Sequence, residues 1–184
     1  TAPAAAALSE SLRKHDANKI YWALICGVPV PRQGTIKLHL AKEPGFGPGG
    51  RDERMVGVDK ETKGAKAAIT HYSVMETAAN QYAWVAVKPV TGRTHQIRAH
   101  LQAIGMPIVG DFKYGAAEAK GRGELEDKLH LHARSLDIAH PDGGRLKISA
   151  PLPRHMLHSW KLFGFDPQSE VNAFAALEGK GRKA

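Results

Sequence analysis

Apolar residues along the chain keep two rhythms, alternation in some stretches and a helical three-or-four spacing in others, and each rhythm predicts an element. Residues 3–14, PAAAALSESLRK, place Pro in a first-turn position ahead of strong helix formers, with Leu8 and Leu12 on one side, so a helix is expected. Lys19 to Val28 (KIYWALICGV) is an almost continuous β-prone run ended by Pro29 and Pro31, the pattern of a buried strand. Thr35 to Leu40 alternates as a second, short strand. Residues 41–65 turn charged and Gly-rich, with EPGFGPGG at 43–50, and read as a mobile loop. Lys66 to Glu76 alternates again, and in Gln81 to Val90 both sets of side chains are apolar, so both faces of that strand should be covered.

The next stretch, Thr91 to Tyr114, reads TGRTHQIRAHLQAIGMPIVGDFKY. Ile97, Leu101 and Ile104 recur at helical spacing, Thr94 is a good N-cap, Gly105 stands where a C-terminal cap belongs, and Pro107 forbids continuation. The first turn of this short amphipathic helix brings Arg93, His95 and Arg98 to the positive end of its dipole, where an anion should sit. That anion is either a phosphate of a substrate or a carboxylate of the protein itself. Residues 116–128 read as a polar surface loop. Leu129 to Ile138 alternates, with His130, His132 and Arg134 forming a basic side, and the PDGG turn at 141–144 leads into a strand over Leu146 to Ser149. PLP at 151–153 precedes a helix over Arg154 to Phe163 whose stripe is Met156, Leu157, Trp160 and Phe163, stopped by Gly164. Many short strands with few helices, not strictly alternating, predict an α+β domain with a mixed, largely antiparallel sheet over 1–164. A C-terminal segment over 165–184, with its last six residues disordered, completes the chain.

Composition narrows the function. At 184 residues, 42% hydrophobic and 24% charged, one soluble domain is expected. The 26 Lys plus Arg against 18 Asp plus Glu give a formal charge of +8, which favours a polyanionic partner. One cysteine, Cys26, excludes an internal disulfide and a Cys-based zinc cluster, and fits a reducing, cytoplasmic setting as a buried thiol. No apolar run approaches the length of a membrane span, so no membrane association is expected.

Three chemistries compete for the polar residues. A metal site built from His95, His100, His130 and His132 is set aside, because residues five apart on a helix face about 140 degrees away from each other and no HExxH spacing occurs. A phosphate cradle for a nucleotide cofactor is not expected, since no GxGxxG or GxxxxGK[ST] follows a strand. The third is an RNA-reading surface, in which Arg93, His95, Arg98, Lys113 and Arg134 meet the polyanion while Tyr21 or another aromatic stacks on a base.

Residues 92–115, GRTHQIRAHLQAIGMPIVGDFKYG, resemble the signature of the RluA-type pseudouridine synthases, GRxHQ[IL]RxH followed by GxPixGDxxYG, without a gap. KIYWALICG at 19–27 is similar to the family's K-x-Y-x-A strand, and LHLHARSLDIAHP at 129–141 with APLP at 150–153 to its closing segment. The resemblance implies a cofactor-free isomerase acting on ribosomal or transfer RNA, large-subunit ribosomal RNA first. It implies that Tyr21 is the active-site tyrosine that stacks on the flipped base, that Arg98 pairs with the catalytic aspartate, and that Ile97 lines the uracil pocket. The bland alternatives are a core aromatic at Tyr21 and a solvated arginine at Arg98.

The family's nucleophilic aspartate lies in an HRLDxxTSG motif, which these 184 residues do not contain. The expectation is therefore a catalytic domain present in its C-terminal greater part, inactive alone, whose Arg98 awaits a carboxylate from elsewhere. Asp111, inside GDFKYG, reads as a loop-fixing acceptor. The rival expectation is a non-catalytic RNA-binding module or ribosome-associated factor.

Overall fold

The computed structural model describes residues 17–46, 52–121, 123–140 and 143–175; the helix expected at 3–14 and the basic end of the tail lie outside them. Seven strands form one sheet in the order β3-β2-β4-β5-β1-β6-β7, and every pairing is antiparallel, as an α+β fold with a largely antiparallel sheet requires. They are β1 (Asn18–Cys26), β2 (Gln33–Phe46), β3 (Asp52–Val58), β4 (Lys66–Ala78), β5 (Tyr82–Pro89), β6 (Leu131–Ala139) and β7 (Arg145–Ser149), with helices α1 (Gln96–Ala103) and α2 (Arg154–Phe163). Among the described residues no helix is long and apolar enough to cross a membrane.

The covered strand expected near residue 85 is β5, buried along Tyr82 to Val87, and β1 lies beside it in the middle of the sheet. Alternation then sends side chains to two cores. Trp22, Leu24, Trp84 and Ala86 meet Met156 and Trp160 of α2, while Ala23, Ile25, Val85 and Val87 meet Ile97 and Leu101 of α1. On the α2 side the indoles of Trp22 and Trp84 lie 4.5 Å apart edge to face, and Trp160 stacks on Trp22 at 6.3 Å. Phe165 and Phe174 are buried in this same core, so the first part of the expected C-terminal segment packs on it.

One stretch expected to be a loop is not, and a second is a surface loop only in part. The mobile loop predicted over 41–65 contains the end of β2 and all of β3. Its charges misled the reading because they face solvent as cross-strand pairs, Glu43 with Arg54 and Lys42 with Glu53 at 2.8 Å. Its Met55 points inward, joining Leu40, Ala99 and Tyr114 in a small core. In the predicted surface loop over 116–128, a short 3-10 helix (Ala116–Ala119) forms, and Ala119 and Leu125 are buried.

The basic side predicted for Leu129 to Ile138 also needs correction. His130 is fully buried, with Nδ1 on the Lys128 carbonyl at 2.6 Å and Nε2 on Ser159 Oγ of α2 at 2.8 Å. Burial lowers its pKa, which keeps the ring neutral. His132 Nε2 lies 3.2 Å from the Ala150 carbonyl. These groups latch α2 and the β7 exit to the sheet instead of lining a cationic surface.

Candidate active site

Helix α1 starts one residue later than its sequence suggested, and Thr94 is not its cap. His95 occupies the N-cap position in the left-handed region, φ 50, with no side-chain capping bond. Gln96 takes over the work. Its Oε1 accepts from the Arg93 amide at 3.0 Å and the Thr91 hydroxyl at 2.7 Å, and its Nε2 donates to the Ile69 carbonyl and Thr70 Oγ1 of β4, both at 2.9 Å. A buried amide with all these bonds fixes the helix entry on the sheet. The far end closes as predicted: Gly105 has φ 73, its amide donates to Gln102 and that of Met106 to Leu101, so the last carbonyls are satisfied.

From this helix Arg98 reaches the turn that follows it. Its Nε donates to Asp111 Oδ2 at 2.8 Å and its Nη2 to Asp111 Oδ1 at 2.7 Å, a bidentate pair whose side chains are 17% and 1% exposed. Asp111 Oδ1 also accepts from the Tyr114 amide at 3.1 Å, the loop-fixing role expected of it. The turn can reach this position because Gly110 has φ 75 and a side chain there would fall 2.0 Å from the Lys128 carbonyl oxygen. The Arg98 guanidinium lies 4.8 Å over the Tyr114 ring, and the Tyr114 hydroxyl accepts from the Met55 amide of β3 at 2.9 Å. The Asp111 hydrogen bond raises the Arg98 pKa further, so the guanidinium is permanently charged.

Of the two anions left open for the start of α1, the protein's own carboxylate is therefore present. Asp111 takes the Nε and Nη2 edge of Arg98, an internal partner that the spacing of the motif did not reveal. Asp111 in turn is buried with both oxygens engaged, which disqualifies it as an attacking group.

His95 joins this cluster through Nδ1, 3.2 Å from the Tyr114 hydroxyl, and burial with the nearby Arg98 and Lys113 charges lowers its pKa. Lys113 is half-buried beside it. Arg93 leaves the cluster, its Nε donating to the Ala67 carbonyl of β4 at 3.2 Å. Arg134 is the extra residue of a bulge between β6 and β1. Its guanidinium turns to the α2 side, 4.3 Å over the Trp22 ring, and donates to the Ala150 and Pro167 carbonyls. Arg134 thus stands apart from Arg98 on the opposite face of the sheet.

Tyr21 and Ile97 meet in one core, with Tyr21 at its margin and Ile97 7% exposed within it. Tyr21 opens on a cleft of about 220 Å³ whose wall includes Lys19, Ala133, Leu136, Ile148 and Ala150; Ile97 does not line it. Among the described residues no group of three or more His, Cys, Asp or Glu side chains could hold a metal. Gln96 and Tyr114 escaped the sequence reading, although one interrupts an apolar helix face and the other closes the GDFKYG turn.

A family model described as RNA pseudouridylate synthase matches residues 1–103. An uncharacterised RNA pseudouridine synthase of Synechocystis is 34% identical over 152 residues, 80% of this chain and 43% of the relative. The dual-specificity RNA pseudouridine synthase RluA of Escherichia coli is 37% identical over 145 residues, 78% of this chain and 61% of the relative. The chain thus spans roughly half the length of the curated relatives it matches. Two solved human structures share the fold: RNA pseudouridylate synthase domain containing 4, 27% identical with a TM-score of 0.68 over 88% of this chain and 68% of that one, and domain containing 1, 25% identical with a TM-score of 0.70 over 100% and 73%.

Proposed function

Because the chain belongs to the RNA pseudouridylate synthase family, we propose that it supplies the base-holding tyrosine and the organising arginine of an enzyme converting uridine to pseudouridine in RNA. Large-subunit ribosomal RNA in the cytoplasm is the substrate we assign, with transfer RNA as the second class. The reaction balances within one nucleotide. The C1′–N1 bond breaks, the uracil turns, C1′ bonds to C5, C5 releases its proton and N1 gains one, so no cofactor is needed.

The observation that carries this reading is the cleft at Tyr21, whose largely apolar wall also carries Lys19, Arg134 and Ser135 and which has room for a single flipped base. In this reading the Tyr21 ring stacks on the uracil and Tyr21 acts as the base that takes the C5 proton. Arg98, fixed by Asp111 through two of its nitrogens, keeps Nη1 outside that pair for the attacking carboxylate, which it aims and holds ionised. Ile97 supports Tyr21 from the shared core.

Tritium at uridine C5 tests the reading, because only bond formation at C5 releases it. The assay compares the 184 residues alone with the same residues joined to an HRLDxxTSG-bearing segment of a longer relative. Release is expected in the joined form, falling about a hundredfold or more in Tyr21→Phe and in Arg98→Lys while RNA affinity holds. RNA binding without release in the joined form overturns the enzymatic reading in favour of a binding module. Equal losses of turnover and affinity in Arg98→Lys reduce Arg98 to a phosphate contact.

A further inference from the structure

The GDFKYG turn holds one side chain that the reaction does not use. Phe112 is 50% exposed, although its neighbours Asp111 and Tyr114 are 1% and 6% exposed. The other large apolar side chains at the described surface, such as Val30, Val90 and Leu162, are aliphatic; Phe112 alone is aromatic. Its backbone is held on both sides. The Asp111 amide donates to Ile108, the Tyr114 and Gly115 amides to the Asp111 carbonyl, and the Asp111 carboxylate is clamped by Arg98. An exposed ring on so rigid a turn is preorganised, because little entropy remains to be lost on contact.

Asp111 before that ring is already paired with Arg98, and the cation Lys113 follows it. Burial first, and then the nearby Arg98 and Lys113 charges, lower the pKa of His95 beside them. A lone exposed phenylalanine is ordinary on a protein surface. A rigid one beside cations has the two parts of a single-strand nucleic-acid contact, a π-face for a base and positive charge for its phosphates.

We propose that Phe112 is a stacking platform for an unpaired RNA base next to the target uridine, with Lys113 taking the adjoining phosphate. This rests on the RNA-modifying reading and adds a contact outside the cleft at Tyr21. Stacking on an aromatic tolerates any base, so the contact fixes the path of the strand and leaves the choice of uridine elsewhere.

Fluorescence anisotropy with a labelled short single-stranded RNA and a duplex of equal length tests it. Phe112→Ala should weaken single-strand binding about tenfold and duplex binding little. Phe112→Trp should restore affinity, and its emission should be quenched on adding the single strand; the three native tryptophans, all buried, serve as the unquenched background. Leu162→Ala, an exposed apolar change on α2, should leave binding intact. Wild-type affinity in Phe112→Ala, or equal losses for both RNAs, overturns the proposal and leaves the RNA reading standing. Failure of the wild-type chain to bind either RNA overturns both.

Discussion

Both faces of the sheet are covered, but they are filled with different material. Toward α2 lie Trp22, Trp84, Trp160, Phe165 and Phe174, and the two buried polar side chains there, His130 and Ser159, bond each other. Toward α1 the chain buries Thr70, Gln96, His100 and Asp111, and holds the Arg98 guanidinium against the last of these. Burial of polar groups costs free energy unless each finds a partner, and even a satisfied pair gains little over well-packed apolar groups. The α1 face thus forgoes stability that the α2 face keeps, and what it obtains is a charged group fixed in direction. One face is scaffold and the other carries the candidate site.

Trp160→Ala should show the largest effect, because it empties the centre of the aromatic face. A loss of about 3–5 kcal/mol is expected in urea unfolding, with RNA affinity of the folded fraction unchanged. A loss below about 1 kcal/mol would break the comparison, since the α2 face would then not be carrying the fold. His100 sharpens it from the other side. This imidazole is fully buried, neither ring nitrogen has a hydrogen-bond partner among the described residues, and desolvation lowers its pKa from 6.5 to about 4. The unfolded chain therefore binds a proton that the folded one refuses, so stability is complete above pH 6.5 and falls as pH drops toward 4, by about 3 kcal/mol in all. His71, His95 and His130 are shifted the same way, so the measurement is the difference between wild type and His100→Leu across that window. Parallel curves would show that His100 stays solvated. Next in size, Gln96→Leu should cost about 2 kcal/mol by stripping the Arg93 amide and Thr70 of their partner, and amide exchange at Arg93 should quicken.

The scaffold was the legible part. The near-continuous apolar runs of β1 and β5 and the Met156–Trp160 stripe of α2 come from apolar burial, which shows directly in the sequence. The hairpin of β2 and β3 was hidden because its inward residues are few and its outward ones carry paired charges, a pattern that resembles a solvated loop. In the site, the spacing of Arg93, His95 and Arg98 was readable, but not which partner each takes. Arg98 and Asp111 are thirteen residues apart, and only the Gly110 turn, packed against the Lys128 carbonyl, brings them together. Arg134 illustrates the converse: its spacing with His130 and His132 gave its side of the strand, but not that this side lies against Trp22 and away from Arg98.

The smallest predicted effect probes how far the polar face extends. Tyr114 touches Arg98 with its ring and the Met55 amide with its hydroxyl, so it joins the active-site helix to the edge strand β3. Tyr114→Phe keeps the ring on Arg98 and removes the hydroxyl's contacts with the Met55 amide and His95 Nδ1; it should cost about 1 kcal/mol, with faster exchange at Met55 and little change at Arg98. Asp111→Asn weakens the charge pair instead. If the two substitutions act on one network, the double variant should depart from additivity by about 0.5 kcal/mol or more, whereas independent sites would add. Additivity would mean that β3 merely covers the site. Coupling would mean that the hairpin mistaken for a loop helps to aim the arginine, and that the polar face reaches the edge of the sheet.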